Sequence, residues 1–173
     1  DVIPMEGKKL LLIDGHGLVF RAFYALPELT GPDGTPTNAV VGFFNMFQKV
    51  REEWQPDMCG VVFDAPGPTF RHEAYAEYKA KRKPTPPDLK TQVPIIAELL
   101  ELLGIPVVMR PGVEADDVLA SVACTAAGEK IETMILSSDK DILQVLGPGL
   151  SVLRPGKGIT SFKMMDEKSF LEE

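Results

Sequence analysis

Three short apolar runs in this chain each break off at an aspartate. Leu10-Leu11-Leu12-Ile13 meets Asp14-Gly15, Gly60-Val61-Val62-Phe63 meets Asp64-Ala65-Pro66, and Thr133-Met134-Ile135-Leu136-Ser137-Ser138 meets Asp139-Lys140-Asp141. Short apolar runs that stop at turn residues and are spaced by helical segments read as parallel strands buried on both faces. With a further apolar run at 105–109, they predict an α/β fold: a mostly parallel central sheet with helices on both faces. In open sheets of this kind the working crevice lies outside the carboxyl ends of the strands. The aspartates are therefore expected at one edge.

A Pro-Gly turn brings three more carboxylates to the start of a helix. Arg110-Pro111-Gly112-Val113-Glu114-Ala115-Asp116-Asp117 leads into the apolar recurrence Val118-Leu119-Ala120-Ser121-Val122-Ala123, with Gly128 as the stop. Glu114 and Asp117 are three apart and project from the same side if both are helical. Acidic residues in a first turn oppose the helix dipole, and most such turns do nothing else. Beside the strand-end aspartates, a second reading opens. Asp14, Asp64, Glu114, Asp116, Asp117, Asp139 and Asp141 cannot sit together ionised unless cations neutralise them. Oxygen donors with two cysteines and two histidines in the whole chain point to a hard cation such as Mg²⁺ or Mn²⁺. Asp14-Gly15-His16-Gly17 is expected as a tight turn, and its spacing matches neither a P-loop nor a dinucleotide fingerprint. His16 is either a ligand or base there, or a turn histidine bonded to its neighbours.

The net charge of −7 and pI near 4.9 argue against a broadly basic surface, unless the acidic charge is concentrated where cations offset it. One segment is cationic. Arg71, Lys79, Lys81, Arg82 and Lys83 stand against Glu73 and Glu77, interleaved with Phe70, Tyr75 and Tyr78 and followed by Pro84-Thr85-Pro86-Pro87. Positive charge with interspersed rings suits a polyanion threaded beside metal ions; a solvated helix face accounts for the same composition. In the segment 18–26, Phe20, Phe23 and Tyr24 accompany Arg21, and aromatics at this spacing are expected in the core, with base stacking as the lesser reading.

Amphipathic helices are expected at 39–54, capped by Thr37 or Asn38, and at 88–103, stopped by Gly104. A short helix at 141–146, two short strands at 150–153 and 159–162, and a helix opening near Asp166 complete the reading. With 173 residues and 45% hydrophobic content, the chain is expected to form a single domain over 1–173. Cys59 and Cys124 read as buried free thiols, with a disulfide left open. No apolar stretch approaches the ~20 residues of a membrane span, no signal peptide stands out, and the expected compartment is the cytoplasm. The last helix has no room to finish, so a further C-terminal segment is expected in the parent protein.

Several motifs together carry a resemblance. Leu12-Ile13-Asp14-Gly15-His16, Val62-Phe63-Asp64, Phe70-Arg71-His72-Glu73-Ala74-Tyr75, Tyr78-Lys79-Ala80-Lys81-Arg82, Gly112-Val113-Glu114-Ala115-Asp116-Asp117 and Ser138-Asp139-Lys140-Asp141 closely resemble, in order, the 5′-nuclease domain at the N-terminus of bacterial DNA polymerase I. The resemblance implies a PIN-like fold that cleaves 5′ flaps and 5′ ends of DNA with two divalent ions and removes RNA primers, in a parent chain that also carries polymerase domains. It implies that Asp14, Asp64, Glu114, Asp116, Asp139 and Asp141 are metal ligands, with Asp117 beside them. Segment 65–87 would be a helical gateway in which Arg71, Lys79 and Arg82 meet the phosphate or the strand, with Tyr75 and Tyr78 for stacking. Arg21 is a further candidate for the nucleic acid. The family continues into a helix-hairpin-helix region carrying further aspartates, which is not found in these residues, so the second ion is expected to be held less well and activity to be weak. Two such ions would stabilise both the attacking and the leaving oxygens of an in-line phosphodiester displacement. A PIN-type ribonuclease, a non-catalytic nucleic-acid-binding fragment with one metal, and a small-molecule phosphatase are the alternatives, of which the last has no need of the basic segment.

Overall fold

The computed structural model describes residues 5–65, 83–157 and 161–171. Among these residues six strands form one sheet in the order β3-β2-β1-β4-β5-β6: β1 Lys9–Asp14, β2 Met58–Asp64, β3 Val107–Arg110, β4 Glu132–Leu136, β5 Leu150–Pro155 and β6 Phe162–Met165. The first five run parallel and β6 pairs antiparallel with β5. Helices α1 Gly15–Ala25, α2 Asn38–Trp54, α3 Pro87–Leu102 and α4 Ala115–Gly128 lie in the connections, with a 3-10 turn at Lys140–Val145, and α5 Glu167–Leu171 follows β6. Among the described residues no helix is long and apolar enough to cross a membrane.

The two-residue period of the strands divides the core. Leu11 and Ile13 of β1, Val61 and Phe63 of β2, and Met134 and Leu136 of β4 face one layer with α1, α2 and α3. Leu12, Val62 and Ile135, the residues between them, face the other layer with α4 and the 3-10 turn. Side chains of a strand alternate in this way, and burial on both faces explains why these runs are apolar without interruption. On α2, Phe43, Met46, Phe47 and Val50 recur at helical spacing and are fully buried or nearly so, each contributing about 1.5–3 kcal/mol by burial.

The expected caps of α2 are not the ones used. Thr37 occupies the N-cap position and makes no side-chain cap bond. Gln92 of α3, 0% exposed, does the work instead: its Oε1 accepts the N–H groups of Ala39 at 2.7 Å and Val40 at 3.1 Å. Its Nε2 donates to Asn38 Oδ1 and to the Asp88 carbonyl, both at 2.9 Å. Asn38 Nδ2 in turn donates to the Phe23 carbonyl at 3.0 Å, so the end of α1 and the starts of α2 and α3 share one polar junction. Four orphan N–H groups open every helix, and here a neighbouring helix satisfies two of them.

Other departures are local. The expected turn at 14–17 is the first turn of α1, and β3 begins two residues later than expected. The short helix after Asp139 is 3-10, and β5 and β6 run past the expected strand ends; position 159 lies outside the described residues. Cys59 is half-buried and Cys124 exposed, and both are free, which corrects the expectation that both thiols are buried.

Candidate metal centre

The strand order reverses between β1 and β4: the chain moves from β1 outward to β2 and β3, then returns to the other side of β1. A sheet opens a crevice at such a switch point, and the carboxylates gather there.

Asp14 closes β1 and caps α1. Its Oδ1 accepts the Gly17 N–H at 3.2 Å and its Oδ2 accepts the Ser137 hydroxyl at 3.1 Å. Glycine is required beside it: a Cβ at Gly15 would lie 2.6 Å from the Phe63 ring, and one at Gly17 would lie 2.6 Å from Asp14 Oδ2. Asp64 closes β2, and its Oδ1 accepts the N–H of Ala115 at 2.7 Å, pinning the start of the acidic helix α4 to the sheet. The Asp64 N–H donates to His16 Nδ1 at 3.1 Å, so the neutral imidazole carries its proton on Nε2. His16 therefore bonds across the fold rather than to its turn neighbours, edge-on to Phe63 with centroids 5.4 Å apart. Glu114 is the N-cap residue of α4 and is 5% exposed, with Asp116 and Asp117 in the first turn. Asp139 caps the 3-10 turn: its Oδ1 accepts the Asp141 N–H at 2.9 Å, and its own N–H donates to Ser137 Oγ at 3.1 Å.

Asp14, Asp64, Glu114, Asp116 and Asp139 line one cavity of about 580 Å³. Asp117 and Asp141 do not: they line an adjoining cavity of about 320 Å³, which Glu114 and Asp116 also border. The seven candidates thus spread over two cavities that share Glu114 and Asp116, with Asp117 and Asp141 on the smaller one alone. Arg21 is half-buried and lines neither cavity. Arg71, Tyr75, Tyr78, Lys79 and Arg82 lie outside the described residues; Lys83, just after them, lines the larger cavity.

Phe20 and Tyr24 correct the expectation that these aromatics are core: they are 37% and 66% exposed. α1 buries Leu18, Val19 and Ala22 and turns Phe20 outward into the larger cavity. Sequence reasoning also passed over Ser137 as a site residue; a serine near a strand end has no signal of its own.

Burial raises the pKa of Asp14 above the usual carboxylate range, Asp64 adds to the rise, and the bonds from Gly17 and Ser137 oppose it. Asp116 is pushed up to about 7 by burial first, then by the charges of Asp14 and Asp139, a hydrogen bond with Asp139, and the charge of Asp64. Crowded carboxylates keep a proton where no cation relieves them. Among the described residues no group of three or more His, Cys, Asp and Glu side chains stands ready-made to hold a metal ion. Asp116 holds its proton up to about 7 instead, and a cation bound there must displace it. The donor set, all hard oxygen in the larger cavity apart from His16, fits a divalent ion of the Mg²⁺ class.

The sign of the pH dependence follows. Asp116 has an ordinary pKa of 3.8 and a folded value near 7, so between these the folded, metal-free chain binds the extra proton. Its stability is expected to fall as pH rises through that window and to level above it. Because Asp116 keeps part of its solvent contact, the loss is about 2 kcal/mol. Asp33 and Asp166, held low chiefly by the backbone N–H groups of Thr35 and Ser169, act only at lower pH. Urea denaturation in EDTA across this pH range checks the slope; stability rising from acid to neutral pH would contradict it.

Comparison with known proteins agrees with this architecture. Residues 9–173 match the family described as the 5′-3′ exonuclease, N-terminal resolvase-like domain. The thermostable DNA polymerase I of Thermus aquaticus is 49% identical over 147 residues, 85% of this chain and 18% of that protein. A 5′-3′ exonuclease of Aquifex aeolicus (strain VF5) is 43% identical over 148 residues, 86% of this chain and 51% of that protein. The chain thus spans at most about half the length of these relatives. The fold is similar to that of T5 5′-exonuclease with bound zinc, with a TM-score of 0.68 at 20% identity over 96% of this chain and 60% of that one. It is also similar to the bacteriophage T5 flap endonuclease in a pseudo-enzyme–product complex with DNA and metal ions, with a TM-score of 0.67 at 19% identity over 95% and 60%. A match that begins at the first residue of β1 and runs to the end of the chain, supported by identities of 49% and 43%, places this chain in the 5′-3′ exonuclease family as its N-terminal resolvase-like domain.

Proposed function

We propose that this chain is the nuclease part of a divalent-metal-dependent 5′-3′ exonuclease and 5′-flap endonuclease acting on DNA and on RNA primers, within a parent protein that also carries polymerase domains. The observation that carries the reading is the five-carboxylate cavity at the switch point, where Asp116 is pushed to about 7 by its neighbours. Asp14, Asp64, Glu114, Asp116 and Asp139 would hold Mg²⁺ or Mn²⁺; Asp117 and Asp141, on the adjoining cavity, would serve a second ion. When bound, such ions supply Lewis acidity and stabilise the charge that develops in a phosphodiester displacement.

The chain's own residues supply the rest. Lys83 places a cation beside the carboxylates, where it pairs with a phosphate entering the cavity. Phe20 offers an exposed ring to a base. Arg71, Lys79 and Arg82 would neutralise the strand beside the site, Tyr75 and Tyr78 would stack on it, and Arg21 would add charge at the flank. The names of the relatives, a DNA polymerase I and a 5′-3′ exonuclease, support this substrate class, as does the DNA bound to the flap endonuclease of similar fold.

The test compares a labelled 5′-flap duplex with a single-stranded RNA, each with Mg²⁺, with Mn²⁺ and with EDTA. Metal-dependent cleavage near the flap junction is expected. Preferential cleavage of the RNA would favour a PIN-type ribonuclease, and no cleavage of either would reduce the chain to a binding module.

A further inference from the structure

We propose that Ser137 is a positioning residue that sets the relation of Asp14 to Asp139 across the switch point and so governs how tightly the site holds a divalent cation. This rests on the metal reading above. Ser137 is 2% exposed and follows β4 directly. Its Oγ accepts the Asp139 N–H at 3.1 Å, and its one hydroxyl hydrogen goes to Asp14 Oδ2, also at 3.1 Å. Its own N–H donates to the Leu153 carbonyl of β5 at 3.1 Å. The side chain is therefore fixed from β5 while it ties the carboxylate ending β1 to the backbone of the carboxylate following β4. Asp139 is then oriented through its bond from the Asp141 N–H, and it lines the same cavity as Asp14 and Asp116. A run of hydrogen bonds from Asp14 through Ser137 to Asp139 spans the crevice.

If Ser137 only satisfied a buried N–H, removing its hydroxyl would lower stability and leave the ion affinity of the folded protein unchanged. If it positions the two carboxylates, ion affinity falls beyond any change in stability. Partners that orient metal ligands typically carry 10–100-fold in affinity. In the 173-residue chain, Mn²⁺ binding followed by electron paramagnetic resonance should weaken about tenfold or more in Ser137→Ala. The Mg²⁺ concentration giving half-maximal flap cleavage should rise in parallel. Ser137→Thr keeps the hydroxyl and should return Mn²⁺ affinity to within about threefold of the parent. If the alanine variant does not fold, Ser137→Cys, similar in size and a weak donor, carries the same comparison. Folded Ala or Cys variants that bind Mn²⁺ as the parent does, or a Thr variant no better than Ala, overturn the role given to Ser137 alone. Failure of the parent chain to bind Mn²⁺ overturns the metal reading and this inference together.

Discussion

Asp116→Asn is expected to abolish cleavage and to make the metal-free protein more stable. The two effects have one cause. Asp116 sits among Asp14, Asp139 and Asp64, and their charges, on top of burial, push it up to about 7; the same crowding is what a cation relieves. Asparagine removes the repelling charge and also a ligand. Loss of metal-borne stabilisation of several kcal/mol corresponds to a rate decrease on the order of 10³-fold. Above neutral pH the metal-free variant should gain about 1–2 kcal/mol, discounted for the solvent that reaches Asp116. In mild acid, where Asp116 itself is protonated, the difference should vanish. Asp139→Asn should also stop cleavage, while an asparagine at that N-cap position preserves the 3-10 turn. Single-turnover cleavage and urea denaturation read the two effects separately. An Asp116→Asn variant with parental activity, or one destabilised at alkaline pH, would contradict the assignment.

Gln92→Leu carries the largest expected loss of stability. It leaves the N–H groups of Ala39 and Val40 without their acceptor and Asn38 Oδ1 without its donor, in a place Gln92 fills at 0% exposure. Each buried group so stranded costs about 1–3 kcal/mol, and relaxation of the junction holds the total to about 3–5 kcal/mol. Thr37→Ala should change stability by less than about 0.5 kcal/mol, since Thr37 makes no cap bond. Urea midpoints of the two variants test the contrast; a Thr37→Ala loss as large as that of Gln92→Leu would contradict the role given to the glutamine.

The sheet was legible because parallel strands buried on both faces write themselves as unbroken apolar runs, and aspartates after such runs mark the carboxyl edge. Asp14, Asp64 and Asp139 were found in this way, and the Pro-Gly turn before Glu114 located the fourth contributor. What sequence could not convey was placement in three dimensions. Nothing in the chain separates Asp117 and Asp141 from the other five carboxylates; only the folded arrangement puts these two on the smaller cavity alone. Gln92 reads as an ordinary helix residue, since its partners lie 52 to 54 positions away in the cases of Asn38, Ala39 and Val40. Phe20 and Tyr24 followed the usual spacing of core aromatics, yet α1 reaches its neighbours through small residues: a Cβ at Gly42 would lie 2.8 Å from that of Ala22. That close approach leaves the larger rings on the outer side.

Calorimetric titration of the chain with Mn²⁺ at about pH 6 and about pH 8, in buffers of differing ionisation enthalpy, tests most directly the claim that the switch-point carboxylates form a metal centre. Binding is expected at both, tighter by about tenfold at the higher pH, with roughly one proton released per ion at the lower, because the cation must displace the proton that Asp116 carries. Asp116→Asn should lose most of the binding. No bound ion, or an affinity that is the same at both pH values with no proton released, would contradict the account.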